Sequence, residues 1–278
     1  MKTKIILTAF VLAFTVACKN EKKSKEVEVE ETVITDGEDT LVEETVTPVE
    51  NNEKHEWSYE GENGTQNWHK THQDCGGDHQ SPIDIVTEEA EKADLGEPHP
   101  SYKEETMIHN VINNGHSVQF NFEPGDHHIF NDVRYNLKQI HFHEPSEHTI
   151  NGVRYPMVIH LVHKSEDGQI LVFAVMAKEG EGSAPFNFLE SYLPIKKGET
   201  KKVGKNFNLP SILPKDKGYY YYVGSLTTPP CSEGVNWIVF KNPITVSKEQ
   251  IEKMHQSLPD HNYRPAQPLN GRKVLMTE

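Results

Sequence analysis

The chain has 278 residues, 28 of them basic and 42 acidic, for a formal net charge of -14. A balance this acidic excludes nucleic acid as a ligand, because phosphates demand a basic surface. The length admits one large domain or two small ones, with a sizeable core in either case.

The first four residues carry Lys2 and Lys4, and Ile5 to Val16 form an apolar run too short to span a membrane as a mature helix. The run ends at Thr15-Val16-Ala17-Cys18, the layout of a secretory signal over residues 1–18. A cysteine directly after a small residue resembles the cleavage box of bacterial lipoproteins, so Cys18 is the expected lipidation site. Thr15 stands where such boxes usually carry leucine, and an ordinary signal peptide with an incidental cysteine is the competing reading. Residues 19–54 contain EVEVEETVITDGEDTLVEETVTPVENNE, acidic and without an aromatic residue. Valine alternating with glutamate is a strand pattern, but high charge with little apolar bulk reads as a disordered tether. Much of the net charge therefore belongs to the tether and not to a ligand-binding face.

Residues 55–278 read as one folded domain, mainly β with helices at the periphery. Strands are expected at Ser117–Phe122, Tyr135–His143, Pro156–Lys164, Gln169–Lys178, Tyr219–Leu226 and Val235–Phe240, each rich in β-branched or aromatic residues. Turn formers such as Asn151-Gly152 and Asp167-Gly168 separate them. LVFAVMA is apolar on both faces, which places it in the middle of a sheet. Ser247–Leu258 opens on a serine cap and repeats apolar residues at helical spacing, so a helix is expected there. Beyond Cys18 only Cys75 and Cys231 remain, and in an exported chain two such cysteines most simply pair. A buried pair of free thiols is the alternative.

The densest chemistry lies in QIHFHEPSEHT, residues 139–149, with three histidines and two glutamates. In a strand, side chains two apart share a face, so His141 and His143 project together and Phe142 turns away. In VIHLVH, His160 lies on one face with Val158 and Val162, where a lone imidazole would be poorly solvated, and His163 falls on the other. Three histidines that leave a fourth position open suit a catalytic zinc site rather than a closed structural one.

Together QIHFHEPSEHT, HLVH, NNGH, QSPIDI, GSLTTPPCSEGVNWIVF and NYRPAQPLNGR resemble the α-class carbonic anhydrases of bacterial, exported type, in order from about Trp57 to Arg272. The resemblance implies a large, mostly antiparallel, twisted ten-stranded sheet with zinc at the bottom of a cone-shaped cleft. It implies Zn2+ on His141, His143 and His160, and reversible hydration of carbon dioxide to bicarbonate and a proton by zinc-bound hydroxide. Glu147 matches the family's gatekeeping glutamate, Thr227 its threonine partner and Thr228 the residue beside substrate. Val162, Val172, Leu226 and Trp237 fall on the hydrophobic wall for an apolar substrate. His116 matches the proton shuttle, with Tyr59 and Asn114 ordering the water between. Gln139 matches the acceptor behind the first ligand and Asn262 a second support. One position departs: the third ligand usually donates to a glutamate two residues earlier, and here that residue is Val158.

Two other classes compete with an enzyme. Non-catalytic binding modules on this fold usually lose one or more zinc histidines, whereas all three are present here. Zinc-capturing lipoproteins tend to carry histidine runs, and the one adjacent pair among sixteen histidines is His127-His128. The expected partners are carbon dioxide and bicarbonate, with the membrane touched only through a lipid at Cys18, in the periplasm or at the outer membrane or cell surface. The sequence leaves the oligomeric state open, a homodimer included, and names no residue for an esterase side activity.

Overall fold

A computed structural model describes residues 57–278, which belong to one compact unit, Asn52–Glu278. The expected signal, Cys18 and the acidic tether lie outside the described residues. Fifteen strands follow one another: β1 (Asp84–Ile85), β2 (Glu91–Lys92), β3 (Thr106–Asn113), β4 (Val118–Phe122), β5 (His127–Phe130), β6 (Val133–His143), β7 (Thr149–Ile150) and β8 (Val153–Arg154). After them come β9 (Met157–Lys164), β10 (Ile170–Glu179), β11 (Thr200–Phe207), β12 (Tyr219–Ser225), β13 (Glu233–Phe240), β14 (Ile244–Val246) and β15 (Leu275–Met276). Three short α-helices, α1 (Trp68–Thr71), α2 (Ala184–Glu190) and α3 (Lys248–His255), decorate them. Ser247 caps α3 in a reciprocal box with Gln250, as its serine start implied.

The main sheet has twelve strands, not ten. Ten run in the order β11-β3-β4-β6-β9-β10-β13-β12-β15-β2, while β14 pairs with β10 and β5 with β6. Most pairs are antiparallel, but β10–β13, β10–β14 and β15–β2 are parallel, so the sheet is mixed. The expected central strand is β10, hydrogen-bonded to β9 on one side and β13 on the other.

Period-two alternation along the central strands separates two cores. Leu171, Phe173, Val175 and Ala177 of β10 enter one cluster with Met157, Ile159 and Leu161 of β9. Val172, Ala174 and Met176 enter the other with Val158, Val235 and Trp237. Each fully buried Val, Leu or Phe contributes roughly 1.5–3 kcal/mol relative to exposure, so a strand apolar on both faces is strongly held in place. His163 faces the first cluster, fully buried, where one ring nitrogen meets Tyr102 Oη at 2.5 Å and the other Leu171 O at 3.2 Å. It is a satisfied core histidine.

Cys75 and Cys231 form a disulfide across a sequence separation of 156. The bridge lies under Tyr59 and Trp68, and Cys231 N–H donates to Thr228 O at 2.9 Å. It thereby staples the N-terminal part of the domain to the loop that carries Thr227. A closed loop this long is valued at about 5 kcal/mol in the chain-entropy model, and measured values are often smaller. Replacing both cysteines with alanine is expected to lower Tm by roughly 5–15 °C. An unchanged Tm in a thermal melt would show that the bridge contributes nothing.

Candidate metal centre

Pairing in the sheet builds the site. Register puts His141 of β6 directly opposite His160 of β9, and His160 opposite Ala174 of β10, whose small side chain leaves room beside the imidazole. His143, two residues along β6, shares the face of His141, while Phe142 is buried in the opposite cluster. The three rings stand 5.0, 5.1 and 4.9 Å apart between centroids. One nitrogen from each lies within 4.8 Å of the others. No other described group of three or more His, Cys, Asp or Glu side chains gathers in this way.

Two of the rings are held from behind. His141 Nδ1 faces Gln139 Oε1 at 2.9 Å, and His143 Nδ1 faces the Asn262 backbone oxygen at 2.6 Å. Each contact assigns the N–H to Nδ1 and leaves Nε2 as the free lone pair. His143 Nε2 is buried and makes no hydrogen bond, as a metal-facing nitrogen should. Burial first, and neighbouring histidines second, hold the pKa of His141 and of His160 well below the usual value. Neutral imidazoles are the ligand form, and a three-nitrogen set suits zinc.

Glu147 is fully buried against the rings, Oε1 at 3.5 Å from His143 Nδ1 and Oε2 at 3.9 Å from His160 Nδ1. Burial pushes its carboxyl pKa up, opposed by His143, by the Thr227 hydroxyl and by Arg264. Oε1 accepts the Arg264 backbone N–H at 3.0 Å. Oε2 makes no formed hydrogen bond, and Thr227 is its neighbouring donor.

The surroundings of the cluster have two characters. Val162, Val172, Leu226 and Trp237 belong to one apolar cluster, with Val172 paired to Val162 on one side and Trp237 on the other. On the opposite flank Gln119 lies across from His141 and Asn121 across from Gln139, joined by a side-chain bond of 2.6 Å. Thr228 is half-buried at the turn closed by Cys231.

His116 stands among aromatic residues at the start of the domain. Its ring stacks on Trp57, centroids 3.6 Å apart and planes at 14°, with Tyr59 edge-on at 6.4 Å. Asn114 uses Oδ1 to close its own turn, accepting from His116 N and Ser117 N at 2.9 and 2.8 Å. A cavity of about 540 Å³ opens on this side, lined by Trp57, Tyr59, His116, Lys197 and Leu258 among others but by none of the three ligand histidines.

Two parts were not assigned from sequence. Arg264, buried, donates through its guanidinium to Gln80 Oε1, Ser81 O and Cys75 O at 2.7 to 2.9 Å. It ties the Glu147 backbone donor to the disulfide segment, and its only sequence signal was its place in NYRPAQP. Trp57, the partner of His116, carried no signal beyond being aromatic.

The family model for eukaryotic-type carbonic anhydrase matches residues 63–278. A carbonic anhydrase of Klebsiella pneumoniae is 39% identical over 225 residues, covering 79% of this chain and 90% of that protein. An α-carbonic anhydrase from Thermovibrio ammonificans, solved with the inhibitor sulfanilamide, superposes with a TM-score of 0.76 at 39% identity, over 80% of this chain and 99% of that one. The α-carbonic anhydrase of Photobacterium profundum gives 0.74 at 40% identity, over 80% and 100%.

Proposed function

Since the chain belongs to the eukaryotic-type, α-class carbonic anhydrases and is a zinc-dependent enzyme of reversible carbon dioxide hydration, we propose which of its residues carry each part of that reaction. His141, His143 and His160 hold the zinc. The observation that supports this is the cluster of three imidazoles, His143 and His160 buried and His141 half-buried, two with their outer N–H anchored on fixed acceptors. Bound there, zinc supplies the Lewis acidity that makes water a nucleophile near neutral pH. The ionised Glu147 accepts the Thr227 proton, which leaves the Thr227 oxygen as an acceptor toward the reacting group and disfavours ligands that lack a proton. Thr228 stands beside the substrate. Val162, Val172, Leu226 and Trp237 exclude water from a pocket whose ligand has no net dipole. Gln139 and the Asn262 carbonyl keep two imidazoles in the ligand tautomer.

The experiment for this reading is a carbon dioxide hydration assay of the purified protein before and after dialysis against a zinc chelator. Activity lost on chelation and restored by one equivalent of zinc is expected. A zinc-loaded protein without activity would make the fold a binding module.

His116 exports the proton. Histidine suits proton transfer near neutral pH, and this one lines the cavity outside the ligand cluster. His116→Ala is expected to lower turnover in weak buffer by about 10²-fold, the lower end of what a positioned proton-transfer group contributes. Added imidazole should restore it. Unchanged turnover would move the role to another group.

The same reading places the enzyme outside the cytoplasm, tethered through a lipid on Cys18 at the periplasmic or outer surface. The disulfide supports export.

A further inference from the structure

The third ligand differs from the first two. His160 has its Nδ1 3.9 Å from Glu147 Oε2. Its Nε2 is buried and without a partner. Val158, two residues earlier on the same face of β9 and itself fully buried, brings no acceptor. A second orphan lies nearby: His148 Nδ1 is also buried and unpartnered. Both rings pack on Trp237, at 4.7 and 5.0 Å, and stand 6.3 Å from one another.

The other nitrogen of His148 is anchored. Nε2 meets Tyr222 Oη at 2.7 Å, Tyr222 Oη meets Ser81 Oγ at 2.8 Å, and Ser81 Oγ accepts the Ser225 backbone N–H at 2.9 Å. If His148 donates to Tyr222 and Tyr222 to Ser81, then His148 Nδ1 is left as an acceptor. If His160 holds zinc through Nδ1, its N–H lies on Nε2, a donor. With the ring centroids 6.3 Å apart, these two nitrogens are too far from one another for a direct bond, and one water between them is the group that could meet both.

We propose that His148 is the positioning residue of the third zinc ligand, bracing His160 Nε2–H through one buried water in place of the side-chain acceptor that Val158 lacks. The polar chain then runs Ser225–Ser81–Tyr222–His148–water–His160. Motif reading left His148 without a role, and its burial among Tyr222, Trp237 and His160 supplies one. The inference rests on the reading that His160 holds zinc, and holds it through Nδ1.

The test uses the zinc-loaded, 15N-labelled protein, with zinc as the probe and a competing chelator to measure its affinity. In the wild type, three ligand imidazole N–H resonances should be protected from exchange. His148→Phe should lose the one belonging to His160, keep those of His141 and His143, and weaken zinc by about 10-fold, the lower end for removal of a ligand's outer partner. Adding Val158→Glu to that variant should restore both, because a carboxylate at 158 takes the His160 proton directly. A merely structural role for His148 would not be rescued from position 158. Zinc affinity within twofold of the wild type and an intact His160 resonance in His148→Phe would overturn the proposal. Should His148→Phe fail to fold, Val158→Glu alone decides. Displacement of the shared water should shift the His148 and His160 ring signals together, and a shift confined to His160 overturns it. A wild type that binds no stoichiometric zinc refutes the metal-site reading first, and this inference with it.

Discussion

Replacing His143 with alanine is expected to leave a folded protein that holds zinc about 10²- to 10³-fold more weakly. Four-ligand structural zinc sites bind with about 10–16 kcal/mol, or roughly 3–4 kcal/mol per ligand, and each 1.4 kcal/mol is about tenfold. His143 is the most constrained donor of the three. It is 1% exposed, and the Asn262 oxygen at 2.6 Å leaves its ring one orientation. Its contribution is therefore pre-organised, and no mobile side chain stands ready to replace it. Losing only the acceptor behind a ligand should cost less, so Gln139→Ala sets a lower rung at about 10-fold. The truncation also strands the Asn262 carbonyl in the interior, a cost of about 1–3 kcal/mol to stability. A chelator-competition titration reads the zinc term, and a melt of the metal-free protein reads the stability term separately. Zinc should raise the Tm of the wild type by mass action and raise that of the variant far less. Wild-type zinc affinity in His143→Ala would remove this residue from the site.

The long strands were legible because each alternates or saturates with apolar residues that the sheet then buries. β4, β6, β9, β10, β12 and β13 all overlap the stretches read from periodicity. The edge strand β11 was not legible. It reads TKKVGKNF, and only Val203 and Phe207 are buried, because a solvent-facing edge selects lysines that blunt it against association. The two-residue strands β1, β2, β7, β8 and β15 carry no period at all, since their pairing is imposed by tertiary contacts. The helix α2 escaped notice because seven residues with proline at the second position give little helical pattern. At the site the division is similar. Spacing put His141 and His143 on one face, but only register could bring His160 across from His141. Likewise, nothing in NYRPAQP says that the backbone N–H of Arg264 meets Glu147, more than a hundred residues away.

That last contact makes Glu147→Gln the sharpest test of the gatekeeping arrangement. An ionised carboxylate only accepts, so whichever oxygen faces Thr227 must receive its proton. Glutamine has the same shape, but its two ends differ. Oε1 is claimed by the Arg264 N–H at 3.0 Å, a donor that the backbone cannot withdraw. The carbonyl end of the amide must therefore take that position, which turns the NH2 toward Thr227. The threonine oxygen then accepts from the amide, and its own proton points at the reacting group. Hydration is expected to fall by about 10²- to 10³-fold, the loss typical when one pre-organised polar contact at a reacting centre is removed. Zinc affinity should stay within a few-fold, because Glu147 supplies no ligand atom. Inhibition by azide, an anion without a proton, should strengthen, since the reversed hydroxyl now welcomes a bare lone pair. Thr227→Val removes the same contact from the other side, so the double variant should be little worse than either single one. Zinc-loaded Glu147→Gln with activity within tenfold of the wild type, or azide inhibition unchanged, would show that the carboxylate does not set the direction of the Thr227 proton.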